Sequence, residues 1–160
     1  MAQMDLLMEQ FIAYLSYEKN SSPNTLASYS HDLGEFAQHL SAESGLDVAQ
    51  VDPTEADYLC IRRFMAVLQK RGLSKTTLAR KTAALRSFYR YLAREELVEF
   101  NPMLHINTPK REKKLPKFLY YQEMEALLRA PDSSPMGQRD QALLETIYAG
   151  GLRVSELVGL

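Results

Sequence analysis

The chain of 160 residues is poor in the features that would mark several large protein classes. Its one cysteine, Cys60, lies in an apolar helical pattern without a CxxC spacing or a histidine close by in sequence, so the sequence encodes neither a disulfide framework nor a zinc site. A reducing compartment is expected. No apolar run approaches the roughly 18 residues of a membrane span, and the opening MAQMDLLMEQ carries acids with no cationic leader region. The expectation is a soluble, untargeted, cytoplasmic protein without membrane insertion. Stretches that alternate apolar with polar residues are also missing, which argues against strands.

Charge is scarce only in total. The formal net charge is -1, yet residues 1 to 60 hold one base against ten acids, residues 61 to 117 fifteen bases against four acids, and residues 118 to 160 three against six. A near-neutral sum therefore conceals a basic middle third. Such asymmetry fits a footprint for a polyanion, and it equally fits contacts between acidic and basic parts of one fold.

Helix starts are well marked. Ser22-Pro23-Asn24-Thr25 and Asp52-Pro53-Thr54-Glu55 each supply a cap followed by proline, and Gly72-Leu73-Ser74 supplies a stop and a new cap. Four helices are predicted, at about 4 to 19, 23 to 42, 53 to 71 and 75 to 97. Each has an apolar face: Leu7, Phe11, Tyr14 and Leu15; Leu26, Tyr29, Leu33, Phe36 and Leu40; Ile61, Phe64, Met65 and Leu68; Leu78, Leu85, Phe88 and Leu92. An all-α bundle follows for residues 1 to 100.

Beyond it, residues 101 to 117 read as a basic, proline-bounded linker containing Lys110, Arg111, Lys113, Lys114 and Lys117. Residues 118 to 160 carry three more short helical patterns, too few to build a large core, and read as the incomplete start of a second helical domain.

On the fourth helix, Lys75, Arg80, Arg86, Arg90 and Arg94 spread over about 140° opposite an apolar arc of about 80°, while Lys81 strays toward the apolar side. Arg86, Arg90 and Arg94 stand four residues apart, a repulsion that a polyanion would relieve. Guanidinium forks suit phosphates and purine edges, and Ser74, Thr76 and Thr77 could add phosphate hydrogen bonds at the helix start. The plainer reading is a solvated basic face, partly neutralised by Glu95, Glu96 and the acidic first helices. Lys110, Arg111, Lys113, Lys114 and Lys117 tilt the balance toward DNA, as a flexible cationic strip able to cross a duplex backbone.

The other motif is Tyr148-Ala149-Gly150-Gly151-Leu152-Arg153-Val154-Ser155-Glu156-Leu157, two apolar helices joined by a glycine turn. Arg153 is expected in the first turn of the second helix, where a cation is mildly unfavourable. It is either the partner of Glu156 at i,i+3 or a clamp on a phosphate oxygen, and spacing alone does not choose. Tyr148 continues an apolar face and reads as a core residue. His31 and His39, eight residues apart, are too distant along one helix for an i,i+4 metal pair; with His105 they are assigned to surface or packing, and no metal or cofactor is expected.

Several of these segments together resemble the Xer branch of the tyrosine recombinase and integrase family. They are Ser22-Pro23-Asn24-Thr25-Leu26 with Tyr29 and Asp32-Leu33, Thr77-Leu78-Ala79-Arg80-Lys81, Ala84-Leu85-Arg86-Ser87-Phe88-Tyr89-Arg90-Tyr91-Leu92, Asn101-Pro102, Leu115-Pro116, Arg139-Asp140 and Gly151-Leu152-Arg153-Val154-Ser155-Glu156-Leu157. The resemblance implies a SAM-like four-helix core-binding domain followed by the start of a catalytic domain. It also implies a tetramer of homologous or paralogous subunits on double-stranded recombination sites, and cleavage through a 3'-phosphotyrosyl intermediate without metal or nucleotide. Arg153 matches the family's first catalytic arginine; the lysine, histidines, second arginine and nucleophilic tyrosine are expected beyond Leu160. The 160 residues are thus expected to bind DNA without cleaving it. Chromosome-dimer resolution is the expected role, with a phage or transposon integrase, a non-catalytic DNA-binding or inhibitory relative, and a helical protein-interaction module as alternatives. Two positions depart from the family pattern: Gly150 replaces a frequent threonine, and Tyr120 a common serine or threonine cap, which predicts a looser helix start there.

Overall fold

A computed structural model describes residues 3–108 and 118–160, so the linker bases Lys110, Arg111, Lys113, Lys114 and Lys117 lie outside the described residues. The chain divides into two compact units, residues 1–113 and 114–160. All regular structure among the described residues is helical.

In the first unit, α1 spans Gln3–Tyr17, α2 Pro23–Ser44, α3 Tyr58–Lys70 and α4 Lys75–Arg94. Two of the starts are the caps read from sequence. The Ser22 hydroxyl accepts the Thr25 amide at 3.3 Å, and the Ser74 hydroxyl accepts the Thr77 amide at 3.1 Å. The stops use left-handed residues: Gly45 (φ 72°) closes α2, and Glu96 (φ 56°) closes α4 while the Leu97 amide reaches back to the Leu92 carbonyl at 2.9 Å. That closure ends α4 at Arg94, three residues before the predicted end.

The third helix starts later than predicted. Asp52-Pro53-Thr54-Glu55 makes a single 3-10 turn over Pro53–Glu55, and Asp57 then caps α3 by accepting the Cys60 amide at 2.7 Å. The cause lies elsewhere in the chain. The Pro53 carbonyl accepts the buried Tyr89 hydroxyl at 2.8 Å and the Ala56 amide at 3.4 Å, so it is engaged away from the amide a continuous α-helix would use. Burial also pushes the Tyr89 hydroxyl's pKa well above its ordinary value, keeping it a donor.

Aromatic rings carry the core. Phe11 from α1 meets Phe88 edge-on at 5.3 Å and Tyr91 at 5.5 Å, and Phe36 from α2 meets Phe64 from α3 at 5.2 Å. Met103 and Ile106, from the segment after α4, are buried in the same cluster.

One polar cluster sits within this apolar interior. Asp32 of α2 is only 1% exposed and accepts from two residues of α4, Arg80 and Lys81, the latter at 2.7 Å. Lys81, also buried, lies 2.5 Å from Glu35, which Arg71 contacts from the other side. Burial alone would raise the Glu35 carboxyl's pKa; hydrogen bonds from Lys81 and Arg71 bring it below its ordinary value. The stray position of Lys81 on the apolar arc is thereby explained: it is the buried partner of two carboxylates.

The second unit holds α5 (Tyr121–Leu128), α6 (Pro135–Gly150) and α7 (Val154–Val158), the three elements expected. Gly137 in the first turn of α6 is obligatory, since a Cβ there would lie 2.1 Å from the Asp132 carbonyl oxygen. Tyr148 does not take the core position expected of it: the residue is 53% exposed, because α5 to α7 do not enclose that face.

Truncation of the buried anion tests how much the first unit depends on the Asp32 cluster. Asp32→Ala leaves Arg80 without its carboxylate and Lys81 with Glu35 alone; we expect urea unfolding to report a loss of about 3–5 kcal/mol, the range for removing one partner of a buried ion pair. A loss below about 1 kcal/mol would mean that the cluster is solvated rather than structural.

Candidate functional site

The basic residues of α4 have unequal surroundings. Lys75 and Thr76 are exposed at its start, one and two residues beyond the Ser74 cap. Ser74 and Thr77 hydrogen-bond each other side chain to side chain at 3.0 Å, so of the three small polar residues at this end Thr76 is the one not taken up by the cap. Arg80, half-buried, is turned toward Asp32 and also reaches the Ser28 carbonyl at 3.4 Å.

Arg86 is likewise engaged internally. Its guanidinium donates to the Ile106 carbonyl at 2.5 Å and to the Thr108 hydroxyl at 2.6 Å, tying the segment after α4 back onto the helix. Arg94 stacks 4.0 Å over the Tyr14 ring and bridges Glu18 at 3.1 Å and Glu95 at 2.7 Å. Its pKa is raised further by hydrogen bonding to Glu95 and Glu18, so it is charged throughout the accessible range.

Arg90 differs. It is exposed, and among the described residues no carboxylate lies in ion-pair range of it. It lines an open groove of about 420 Å³ together with Lys19, Ser21, Thr25, Tyr29, Ser87 and Arg94. The groove brings the amino-terminal turn of α2, with the Thr25 hydroxyl beside the Ser22 cap, next to three cationic side chains. Helix amino termini and cations favour the same ligand, an anion. Sequence reasoning missed Lys19, Ser21 and Thr25 as candidates. The available signal was Lys19 itself, the one base in a segment with ten acids.

In the second unit, Gly151 takes a left-handed conformation (φ 60°) that stops α6, and Arg153 follows as the residue that caps α7 rather than as part of its first turn. The Arg153 amide donates to one Glu156 oxygen at 2.8 Å and its guanidinium to the other at 2.9 Å, so the i,i+3 pair is formed. The backbone amide, then the guanidinium, hold the Glu156 carboxyl below its ordinary pKa. The Arg153 side chain is 82% exposed, leaving most of its donors open. At Gly150 an added Cβ would come within 3.0 Å of the Leu152 side chain, so glycine relieves a tight corner in the same turn.

The start of α5 is not loosened by Tyr120. The Tyr120 side chain forms no cap hydrogen bond, but Glu123 reaches back to the Tyr120 amide at 2.8 Å and fixes the turn from the other direction. Arg139 pairs with its neighbour Asp140 at 2.6 Å on the surface. His31 and His105 are exposed, whereas His39 packs its ring 5.1 Å from Phe64 and faces Glu43.

Comparison with known proteins matches residues 8–96 to the family described as "Phage integrase, N-terminal SAM-like domain". The tyrosine recombinase XerC of Pelotomaculum thermopropionicum is 47% identical over 152 residues, covering 94% of this chain and 50% of the relative. That of Pelobacter propionicus is 46% identical over 161 residues, 98% of this chain and 52% of the relative. The Bacillus subtilis protein of the same name is 45% identical over 147 residues, 91% and 47%. The chain belongs to the Xer-type tyrosine recombinase, or phage integrase, family and carries its amino-terminal part. It spans about half the length of the curated relatives it matches. No helix among the described residues is long and apolar enough to cross a membrane.

The anchoring of the segment after α4 is directly testable. With Arg86→Ala, amide hydrogen exchange at Ile106, whose N–H is bonded to the Met103 carbonyl, should accelerate at least several-fold while α4 keeps its protection; unchanged exchange there would show that Arg86 does not hold the segment.

Proposed function

We propose that the whole protein is a cytoplasmic site-specific DNA recombinase acting in chromosome-dimer resolution, and that residues 1–100 are its core-binding domain. Residues 101–117 lead from it to the catalytic domain, their first part, Met103 and Ile106 included, packing on the bundle, and residues 118–160 open the catalytic domain. Double-stranded DNA is held through Lys75, Thr76, Arg90 and Arg94, with Lys110, Arg111, Lys113 and Lys114 as further phosphate contacts, while Arg86 serves by tying residues 106 and 108 to α4. Arg80 contributes from behind, by fixing α4 on Asp32. The observation that carries this reading is the groove at Arg90, where an exposed guanidinium without a carboxylate partner among the described residues meets a capped helix amino terminus.

Arg153 is assigned to the scissile phosphate. Its guanidinium would neutralise charge developing on a non-bridging oxygen during attack by a tyrosine hydroxyl, which forms a 3'-phosphotyrosyl bond and releases a 5'-hydroxyl. Glu156 orients the guanidinium by holding one edge, leaving the other for phosphate. Of the family's catalytic residues, Arg153 is the one matched within these 160 residues, so they bind DNA and do not cleave it. Strand exchange belongs to a tetramer of complete subunits on two sites.

Binding to duplex DNA across a salt series tests the grip. Affinity should fall steeply with salt, and Arg90→Ala should weaken binding and reduce the log-log slope by about 0.9, the value for one lost phosphate contact. Because Arg90 is exposed, its thermal midpoint should stay put. Absence of binding at low salt sinks the reading, as does an Arg90→Ala variant indistinguishable from the parent. In a recombinase chain that extends past Leu160, Arg153→Ala should cut strand cleavage by roughly 10²-fold or more with site binding retained.

A further inference from the structure

Cys60, without a histidine or second cysteine near it in sequence, acquires ligand-type neighbours through folding. The end of α2 and the first turn of α3 bring His39, Glu43 and Cys60 together, with one donor atom of each within 4.8 Å of the others. From this geometry we propose that His39, Glu43 and Cys60 form a binding site for a borderline-soft divalent cation of the zinc type, stapling α2 to α3.

Four observations support it. First, the His39 Nε2 atom is buried and has no hydrogen-bond partner, with a Glu43 oxygen 3.6 Å away. A buried nitrogen left unpaired costs stability, and metal coordination satisfies it. Second, the donor set is mixed nitrogen, sulfur and oxygen, which suits zinc rather than magnesium or calcium. Third, bond lengths of about 2.0–2.3 Å in a tetrahedral site put ligand atoms roughly 3.3–3.8 Å apart, so rotation of side chains by about 1 Å closes the site. Fourth, an open pocket of about 330 Å³ lined by Glu43, Cys60 and Arg63, though not by His39, gives a cation access to two of the three donors from solvent.

The charges also balance. Glu43 is already ionised, its pKa lowered chiefly by the hydrogen bond from Arg63. The Cys60 thiol, pushed up to about 11 by burial and by Glu43, is protonated in the metal-free protein. On binding, the thiol proton leaves to solvent, a metal–thiolate bond forms without any redox change, and one thiolate plus one carboxylate neutralise the dication. Arg63 is the competitor, since it holds Glu43 by two hydrogen bonds of 2.6 and 3.0 Å. Its side chain is 56% exposed and can turn to solvent when the cation arrives.

The test is cobalt(II) titration of the purified 160-residue chain, followed by displacement with zinc. Expected are a thiolate-to-cobalt charge-transfer band saturating at one equivalent, release of a proton, and a raised thermal midpoint with zinc. Cys60→Ser should abolish the band. His39→Gln should weaken binding by no less than the roughly 10-fold that loss of an outer-sphere partner costs a metal site. Arg63→Ala should tighten it, a gain that no folding defect can imitate, and His31→Ala with His105→Ala should leave it unchanged. Absence of the band in the parent overturns the proposal. So does a band insensitive to His39→Gln, or one that weakens in Arg63→Ala.

Discussion

The first unit is organised around one buried anion. Asp32 sits inside the bundle with Arg80 and Lys81 both directed at it from α4, and the second of these continues to Glu35. A buried ion pair adds little net stability over apolar residues of the same shape, because desolvation offsets most of the attraction. It does penalise every alternative placement in which one charge is left alone. Sliding α4 by one residue along α2 would separate Lys81 from Asp32 and bury a cation unpaired. The cluster therefore acts on register, and register decides which residues of α4 remain outside.

That constraint sorts the basic middle of the sequence. Arg63, Arg71, Arg80, Lys81 and Arg94 each meet an acid from the first sixty residues, namely Glu43, Glu35, Asp32, both Asp32 and Glu35, and Glu18. Much of the charge asymmetry visible in the sequence is thus consumed in holding the bundle together. The two readings of that asymmetry, internal pairing and a polyanion partner, are not rivals. Internal pairing takes Arg63, Arg71, Arg80 and Lys81 fully and Arg94 in part, and the exposed remainder, with Arg90 at its centre, is what the proposed function assigns to a phosphate backbone.

Local signals were legible and distant ones were not. Ser22 and Ser74 cap as read because a serine, its helix amides and the following proline or lysine are all within four residues. The start of α3 was misread because two aspartates five residues apart offer competing caps, and the choice is made by Tyr89, thirty-six residues away. The anomaly of Lys81 on the apolar arc could be seen in the sequence, but its partners could not. Arg86 and Arg94 looked equivalent to Arg90 by helical spacing; their ties to Ile106, Thr108, Glu18 and Tyr14 depend on elements that spacing does not describe. Cys60 and His39 show the same limit, twenty-one positions apart in sequence and neighbours across two helices.

Arg153 and Arg94 have a property in common that bears on the proposed function. Both guanidiniums are exposed enough to receive a phosphate, and both already rest on a carboxylate, Glu156 and Glu18 respectively. Exposed ion pairs of this kind contribute little to stability, so a carboxylate there does not block a phosphate that brings a second negative charge and further oxygens. What it does is restrict the rotamers of a long side chain before the ligand arrives, reducing the entropy lost on binding. At Arg153 the restriction is strongest, because Glu156 grips the backbone amide and the guanidinium of the same residue and so fixes both ends of the side chain. Arg90 lacks such a partner among the described residues and stands exposed to solvent. Under the proposed function these surroundings divide the labour, Arg90 being suited to long-range attraction of a polyanion and Arg153 to holding one phosphate in a set position.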